Sequence, residues 1–502
     1  MIHINNCNKR ITMKKLFTFK VLALVICLFD SLGLAAIDTS STMVTVGDTT
    51  MSLSLITVRR LPVLWVETVD GEEPTCEYLY APSGCIGATI NATKVPGRVV
   101  MYLRQDGVDN IVYDSGDYVK DVSGMTIKIR GNTSAFASKK PYKIKLQKKR
   151  DLLLRGNDSI YKDKEWLLLK DDYLLYTTAQ KVAEQVGIMW NPANRFVNLI
   201  INGSYRGIYL LCESVKRNPD CRLNVDKNSG YIFECDPYWW NEPTYVYSSL
   251  NPIFNYTFKY PDGDEITPEQ LAYMQQTVST YEASVPNGNY DEYIDVTSFA
   301  AWCLIHDIEC TKDGGGANRF YLKYDSTAES KIVMPLVWDF DMSERSLTGW
   351  SNCHVDLFMP LFNNSNRAFV NEYLRLWCKV RETLVDDVTN KLIEFRNSYD
   401  GYGVRVSFTI DNLVWNNNLG FDRYITSHCN WQKNRFDWLD ENIMAMHVPN
   451  DVDIDGVVDI DDVTALVDML LGVGDQMITG DIDGDGEVTI DDVTALIDIL
   501  LT

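Results

Sequence analysis

The sequence predicts an α+β fold: a β-rich amino-terminal part, a mixed central domain with a helical second half, and a small all-α module at the carboxyl end. Three observations predict it. β-branched and aromatic runs bounded by turn residues dominate residues 54–146 and return at 196–212. Residues 355–445 carry apolar spacing of helical period, clearest at Val370–Arg381 and Asp386–Arg396. Residues 448–502 contain an acidic loop followed by an apolar helix, twice, at a period of 30.

The chain has 502 residues, 46% of them apolar, enough for roughly two to four domains with sizeable cores. From Met13, the basic Lys14, Lys15 and Lys20 precede an apolar run, Val21–Phe29, and a small-residue exit at Gly33-Leu34-Ala35-Ala36. That pattern predicts a secretory leader over residues 1–36, with Met13 as an alternative start, and hence an exported, extracellular or cell-surface protein of a bacterium. No later run approaches about 18 apolar residues, so no transmembrane segment is expected in the mature chain. In an exported chain disulfides are allowed, and Cys76/Cys85, Cys212/Cys221 and Cys303/Cys310 are close enough in sequence to be local pairs. Cys353-His354 has no nucleophile signature around it.

Net charge is −22, but residues 448–502 alone carry fourteen Asp, one Glu and no Lys or Arg. The acidity is therefore a segment property. Without a basic stripe to neutralise a phosphate backbone, nucleic-acid binding is not expected.

Taken in order, residues 37–122 read as the β-rich part packed on the central domain, with strands at Leu61–Glu67, Gly97–Arg104 and Ile111–Tyr113. The central domain, 123–447, opens with Met125–Arg130 and Lys139–Leu146. In the second run Tyr142, Ile144 and Leu146 share one strand face and Lys143 and Lys145 the other, which sets two ammonium groups side by side. Between the runs, Arg130-Gly131-Asn132 offers a turn whose N–H groups and guanidinium suit an anion. Thr177–Val186 is an amphipathic helix ended by Gly187. Phe196–Ile201 and Tyr205–Cys212 form a hairpin about Asn202-Gly203. The aromatic stretch Tyr238–Tyr247 is expected in the core, with a base-stacking wall or a sugar platform as alternatives.

The organising stretch is 313–341. A buried helix, Phe299–Ile308, leads into the glycine loop Asp313-Gly-Gly-Gly-Ala-Asn318. Phe320–Tyr324, a polar turn and Ile332–Trp338 then read as a hairpin ending in Asp339-Phe340-Asp341. Folded about residues 328 and 329, it sets Asn318 opposite Asp339, roughly 5 Å apart at Cβ. Carboxylate and amide oxygens gathered in this way suit Mg²⁺-assisted phosphoryl transfer, in which an Asp is followed five residues later by a metal-binding Asn and then by a metal-binding Asp beyond a hairpin. No His-Arg precedes Asp313 and no G-x-G-x-x-G loop occurs, so an ordinary protein kinase is excluded.

Together, Arg130-Gly-Asn-Thr-Ser, Lys139-Lys-Pro-Tyr-Lys-Ile-Lys-Leu146, Trp166-Leu-Leu-Leu, Val197–Leu210 followed by Glu213, Asp313 to Asn318 and Val337-Trp-Asp-Phe-Asp341 resemble the CotH spore-coat-type kinase family. The resemblance spans roughly Leu61 to Met446. It implies a secreted, atypical protein kinase with a remote, two-lobed kinase-like fold, which uses ATP with Mg²⁺ or Mn²⁺ to phosphorylate Ser-rich protein partners. By the same resemblance Asp313 is the catalytic Asp, and Asn318 and Asp339 are metal-binding; Asp341, standing where a glycine would be in Asp-Phe-Gly, is counted with them as a candidate ligand. Lys145 is the best match for the phosphate-contacting Lys, and Lys143 and Lys140 compete with it; Arg130 is counted with the phosphate set on the chemistry of its own turn. The triple glycine departs from the family pattern and is expected to loosen the catalytic loop. The alternative, from another class, is a catalytically silent structural or adhesive protein that keeps the fold; a glycosidase gains support only from the carboxyl-terminal module.

That module, 448–502, holds two twelve-residue loops. Asp451, Asp453, Asp455, the Val457 carbonyl, Asp459 and Asp462 form the first set, and Asp481, Asp483, Asp485, the Glu487 carbonyl, Thr489 and Asp492 the second. Acidic side chains at positions 1, 3, 5 and 12, with glycine at 6, predict two Ca²⁺ sites. No entering helix precedes either loop, so neither is a complete EF-hand. The duplicated loop-helix resembles a type I dockerin, which implies docking to a cohesin module of a scaffold protein in a cellulosome-like assembly.

Overall fold

The computed structural model describes residues 35–502 apart from 172–173, 252, 316–317, 345, 355–356, 417–419 and 474–476. The proposed leader lies outside the described residues except at its end, where Ala35 and Ala36 pair with Ile111 and Asn110. Among the described residues no helix is long and apolar enough to cross a membrane.

The fold is mixed, with a barrel-like sheet, a smaller second sheet and a helical layer. The barrel is a closed ring. Val63–Thr68 pairs with Val95–Gln105, which pairs in turn with Met125–Ile129; Tyr142–Arg150, Asp163–Leu169, Ser204–Glu213 and Asn194–Ile201 come after it, and the last returns to Val63–Thr68 in the ring's parallel step. The ring therefore draws on the β-rich segment and the central domain alike. Its interior follows from the period-two alternation of strands. Leu64, Val66, Val99, Met101, Ile127, Tyr142, Ile144, Leu146, Trp166, Leu168, Val197, Leu199 and Leu211 fill one buried cluster, while Lys143 and Lys145 point outward as the alternation requires. Closure depends on Gly97, which pairs with Thr68 on one side and Met125 on the other. A Cβ there would lie 2.4 Å from the Glu67 carbonyl oxygen. The Asn202-Gly203 turn has φ of 50° and 74°, as a two-residue hairpin demands.

Outward residues of the ring, Phe196, Ile208 and Leu210, join a larger core with the helices Leu175–Val186, Val296–Glu309 and Ala368–Val380. The second sheet runs Tyr245–Val246, Asn255–Tyr260, Tyr231–Asp236, Arg319–Lys323, Ile332–Val333. Val296–Glu309 is capped by Asp295, is buried on every side from Phe299 onward, and ends at Cys310 in the left-handed conformation. It delivers the chain directly into the 311–318 loop. The helical second half comprises Leu384–Asn397, Tyr399–Trp415 and Phe421–Met444 as well as Ala368–Val380.

At the carboxyl end, Ile460–Leu470 and Ile490–Leu500 pack together through Leu466, Met469, Val493 and Leu496. The Arg375 guanidinium donates to the carbonyls of Asp453 and Ile454, at 3.2 and 2.7 Å, and Ile454 is buried in the large core. The first acidic loop is thereby seated on the helix Ala368–Val380.

Candidate active site

Three carboxylates meet where the loop after the buried helix passes the end of the second sheet. One oxygen each from Asp313, Asp339 and Asp341 lies within 4.8 Å of the others, and the Asn318 side chain hydrogen-bonds Asp339. Two backbone features aim them. Asn318 and Asp339 are both left-handed, with φ of 60° and 65°, a conformation that Asn and Asp tolerate better than bulkier residues. The Lys312 N–H donates to the Met342 carbonyl at 3.1 Å, which ties the Asp313 loop to the Asp341 segment.

The convergence matches the expectation, but the predicted register, Asn318 opposite Asp339, is corrected. Leu322 pairs with Val333 and Lys323 with Ile332, a register that would place Asn318 opposite Val337 rather than Asp339. The ladder stops after two pairs because the Met334 N–H donates to Ser298 Oγ at 3.1 Å and Pro335 has no N–H to give. Residues 334–340 run on unpaired to this sheet, and the two left-handed residues, rather than cross-strand opposition, bring Asn318 to Asp339.

The expected loosening by the triple glycine is also corrected for Gly314 and Gly315; Gly316 lies outside the described residues. A Cβ on Gly314 would meet His306 at 2.9 Å and Cys353 at 3.1 Å, and one on Gly315 would meet the Asn352 carbonyl oxygen at 2.9 Å. The buried Arg319 holds the Gly314 carbonyl through Nε at 3.1 Å. These glycines permit close packing.

Arg130 lies within the field of this cluster, with Asp339 the strongest charge acting on it and Glu234 also contributing. Lys143 and Lys145 both bind Glu165, at 2.7 and 3.1 Å, on the outward face of the ring. Burial works against ionised Glu165, yet Lys143 and Lys216 outweigh it and hold the carboxyl down to about 2. For Lys143 itself burial prevails over the same pairing and lowers its pKa. Glu165 was not foreseen from the sequence; its place beside Trp166, in register with Lys145, is the signal that could have found it. Lys140 is committed elsewhere, donating to Tyr78 and to the Ala135 carbonyl at 2.9 and 2.7 Å. The 238–247 stretch is not core: Val246 alone is buried in it, and Tyr238 lies within the field of Asp339 and Asp313.

The family description "CotH kinase protein" matches residues 127–399, more than half of the chain. The chain belongs to the CotH kinase protein family. No curated protein matches it. In this CotH chain the matched region runs from the ring strand carrying Lys128, through Arg130 just after it, past Asp313, Asn318, Asp339 and Asp341. A cleft of about 580 Å³ between Gln180, Arg195 and Asp400 includes none of these residues.

Asp339 keeps solvent access, but the protein around it, then Asp341 and Asp313, push its carboxyl up to about 7 against the opposing pull of Arg130 and Asn318. The repulsion between neighbouring acids fixes that direction. Its folded-state pKa is raised, so the metal-free fold loses stability as pH climbs from the ordinary carboxylate range to about 7. A divalent cation binding at Asp339 would have to displace that proton. Stabilisation of the CotH chain by Mn²⁺ should therefore be greater at about pH 8 than at about pH 6, as read by thermal melting. Equal stabilisation at both would separate Asp339 from the metal.

The acidic loops of the CotH chain converge in the same manner. Asp451, Asp453 and Asp462 bring oxygens within 4.8 Å of one another, and so do Asp481, Asp483 and Asp492. Asp462 and Asp492 also accept from Val452 and Ile482, at 2.6 and 2.7 Å, and close capping boxes with Asp459 and Thr489. Asp455 and Asp485 accept the N–H groups of Val457 and Glu487, at 2.7 and 2.8 Å. Positions 1, 3 and 12 thus gather, while 5 and 9 bond the backbone.

The predicted local cysteine pairs do not form; among the described residues all ten cysteines are free thiols. Cys303 points from its helix toward Cys353, with the sulfurs 3.4 Å apart, while Cys310 is the left-handed residue that ends the helix.

Proposed function

We propose that this chain is an exported, ATP- and metal-dependent protein kinase of the CotH type that phosphorylates Ser-rich protein partners. The observation that carries the reading is the meeting of Asp313, Asp339 and Asp341, with Asn318 bonded to Asp339 and Arg130 within the field of Asp339. Asn318, Asp339 and Asp341 are the residues to hold Mg²⁺ or Mn²⁺, which neutralises the charge of the transferring phosphates. Arg130 and the Lys143/Lys145 pair, steadied by Glu165, supply cations for the phosphate chain. Asp313 orients the acceptor hydroxyl and takes its proton. Export rests on the leader, and the Ser-rich acceptor on the family resemblance.

The same proposal takes residues 448–502 as a type I dockerin that binds two Ca²⁺ and attaches the kinase to a cohesin-bearing scaffold. It is supported by the duplicated loop-helix pattern and by the three carboxylates gathered in each loop.

The test is Asp339→Ala. Removing one of three crowded carboxylates should leave the metal-free melting temperature unchanged or raised, while the added protection by ATP with Mn²⁺ disappears. If the wild type gains no protection, or if the variant melts early without metal, Asp339 has a structural role and the reading fails.

A further inference from the structure

Beneath the Asp313 loop lies a second cluster with different chemistry. Cys303 and Asp307 are one turn apart on the same face of Val296–Glu309, and Cys353 and His354 arrive from the segment after Trp350. Their donor atoms all lie within 4.8 Å of one another. The Cys303 and Cys353 sulfurs are 3.4 Å apart, Asp307 Oδ2 is 3.7 Å from Cys303 Sγ, Asp307 Oδ1 is 4.0 Å from Cys353 Sγ, and His354 Nε2 is 2.7 Å from Asp307 Oδ2. Tetrahedral zinc with ordinary Zn–S and Zn–N/O lengths has ligand-to-ligand edges of about 3.3–3.8 Å. The sulfur–sulfur and sulfur–carboxylate separations of 3.4, 3.7 and 4.0 Å lie close to that range, and the 2.7 Å His354–Asp307 hydrogen bond opens as both groups turn to one ion.

We infer that Cys303, Asp307, Cys353 and His354 form a buried structural zinc site that pins residues 351–354 under the Asp313 loop.

The surroundings are those of a metal site. Ser351 donates to Asp307 through N–H and Oγ, at 3.0 and 2.8 Å, and the Tyr373 hydroxyl donates at 2.9 Å, which fixes the carboxylate as outer partners of a ligand do. The His354 ring is stacked between Trp350 and Phe362, with centroids 4.9 and 4.5 Å away, and turns Nε2 toward Asp307. Cys303, Asp307 and Cys353 are fully buried. In the metal-free site the thiols share Asp307 with four other donors, and Ser351 Oγ lies 2.8 Å from Cys353 Sγ; zinc takes both sulfurs as thiolates and releases their two protons. Two sulfurs and an imidazole select a soft or borderline ion over the Mg²⁺ or Ca²⁺ that suit the carboxylate clusters. The consequence is local order: the Asn352 N–H donates to the Thr311 carbonyl at 3.1 Å, and the Cys353 side chain packs against Gly314. The inference does not depend on the kinase reading.

The test is metal analysis of the full chain, produced in zinc-replete medium, kept reduced, and dialysed against Ca²⁺ and Mg²⁺. About one zinc per chain should remain. It should be lost in the double variant Cys303→Ser/Cys353→Ser, and Co²⁺ exchanged into the wild type should show thiolate-to-cobalt charge transfer. The wild-type cobalt spectrum decides even if the variant does not fold. Zinc-free protein that gives no charge transfer, a folded double variant that keeps its zinc, or a Cys303–Cys353 disulfide found by peptide mapping would each overturn the site.

Discussion

Asp313→Asn should lower phosphate transfer about 10²–10⁴-fold while ATP and metal still protect the chain against melting. The substitution keeps size and much of the hydrogen-bonding capacity and removes the charge that, in the proposed reaction, accepts the proton of the attacking hydroxyl. Asp313 stands in the acidic trio at the head of a loop held by Lys312 to Met342 and by Arg319 to Gly314. Loss of one charge leaves those backbone bonds in place, so the fold should persist. The measurement pairs phosphate incorporation into a Ser-rich acceptor with a melting curve on the same preparation. Unchanged transfer would remove Asp313 from the chemistry, and loss of both transfer and fold would make it a structural residue.

Removal of calcium should unfold the carboxyl-terminal module while sparing the remainder. Asp451 and Asp462 are each 1% exposed, and their oxygens share a 4.8 Å cluster with Asp453. Such crowded anions need a cation to offset both lost hydration and mutual repulsion. Without it, the helices Ile460–Leu470 and Ile490–Leu500 lose the capping boxes that Asp462 and Asp492 close, and Arg375 loses the ordered carbonyls of Asp453 and Ile454. With a calcium chelator the full chain should lose far-UV helical signal and become open to protease beyond residue 447, and calcium should restore both. Identical spectra and digestion patterns with and without chelator would contradict the calcium assignment.

How much of this was legible depended on distance along the chain. The outward placement of Lys143 and Lys145 followed from period two, and the hairpin at Asn202-Gly203 from the turn chemistry of two residues. The helix leading to Asp313, and the gathering of Asp313, Asn318 and Asp339, were local enough to foresee. Their register was not, because Ser298, far away in sequence, takes the Met334 N–H that the ladder would have used. Closure of the ring needs Val95–Gly97 to meet Met125–Ile127, and no turn signal announces a pairing across thirty residues. Cys303 opposite Cys353 is the same case: proximity in sequence favoured Cys310, and the buried helix turned Cys303 elsewhere. Glu165 escaped because an acid beside Trp166 reads as a strand end until Lys145 is set across from it.

Whether the Asp313, Asp339 and Asp341 cluster performs the proposed metal-dependent phosphotransfer is read from radiolabel incorporation from γ-labelled ATP by the purified wild-type chain, into itself and into Ser-rich acceptors, with Mg²⁺, with Mn²⁺ and with chelator. Label should require the metal and vanish in Asp339→Ala. No label from wild type with either metal on any acceptor, from protein that is folded and calcium-loaded, would contradict the proposed phosphotransfer and favour a silent structural role for the fold.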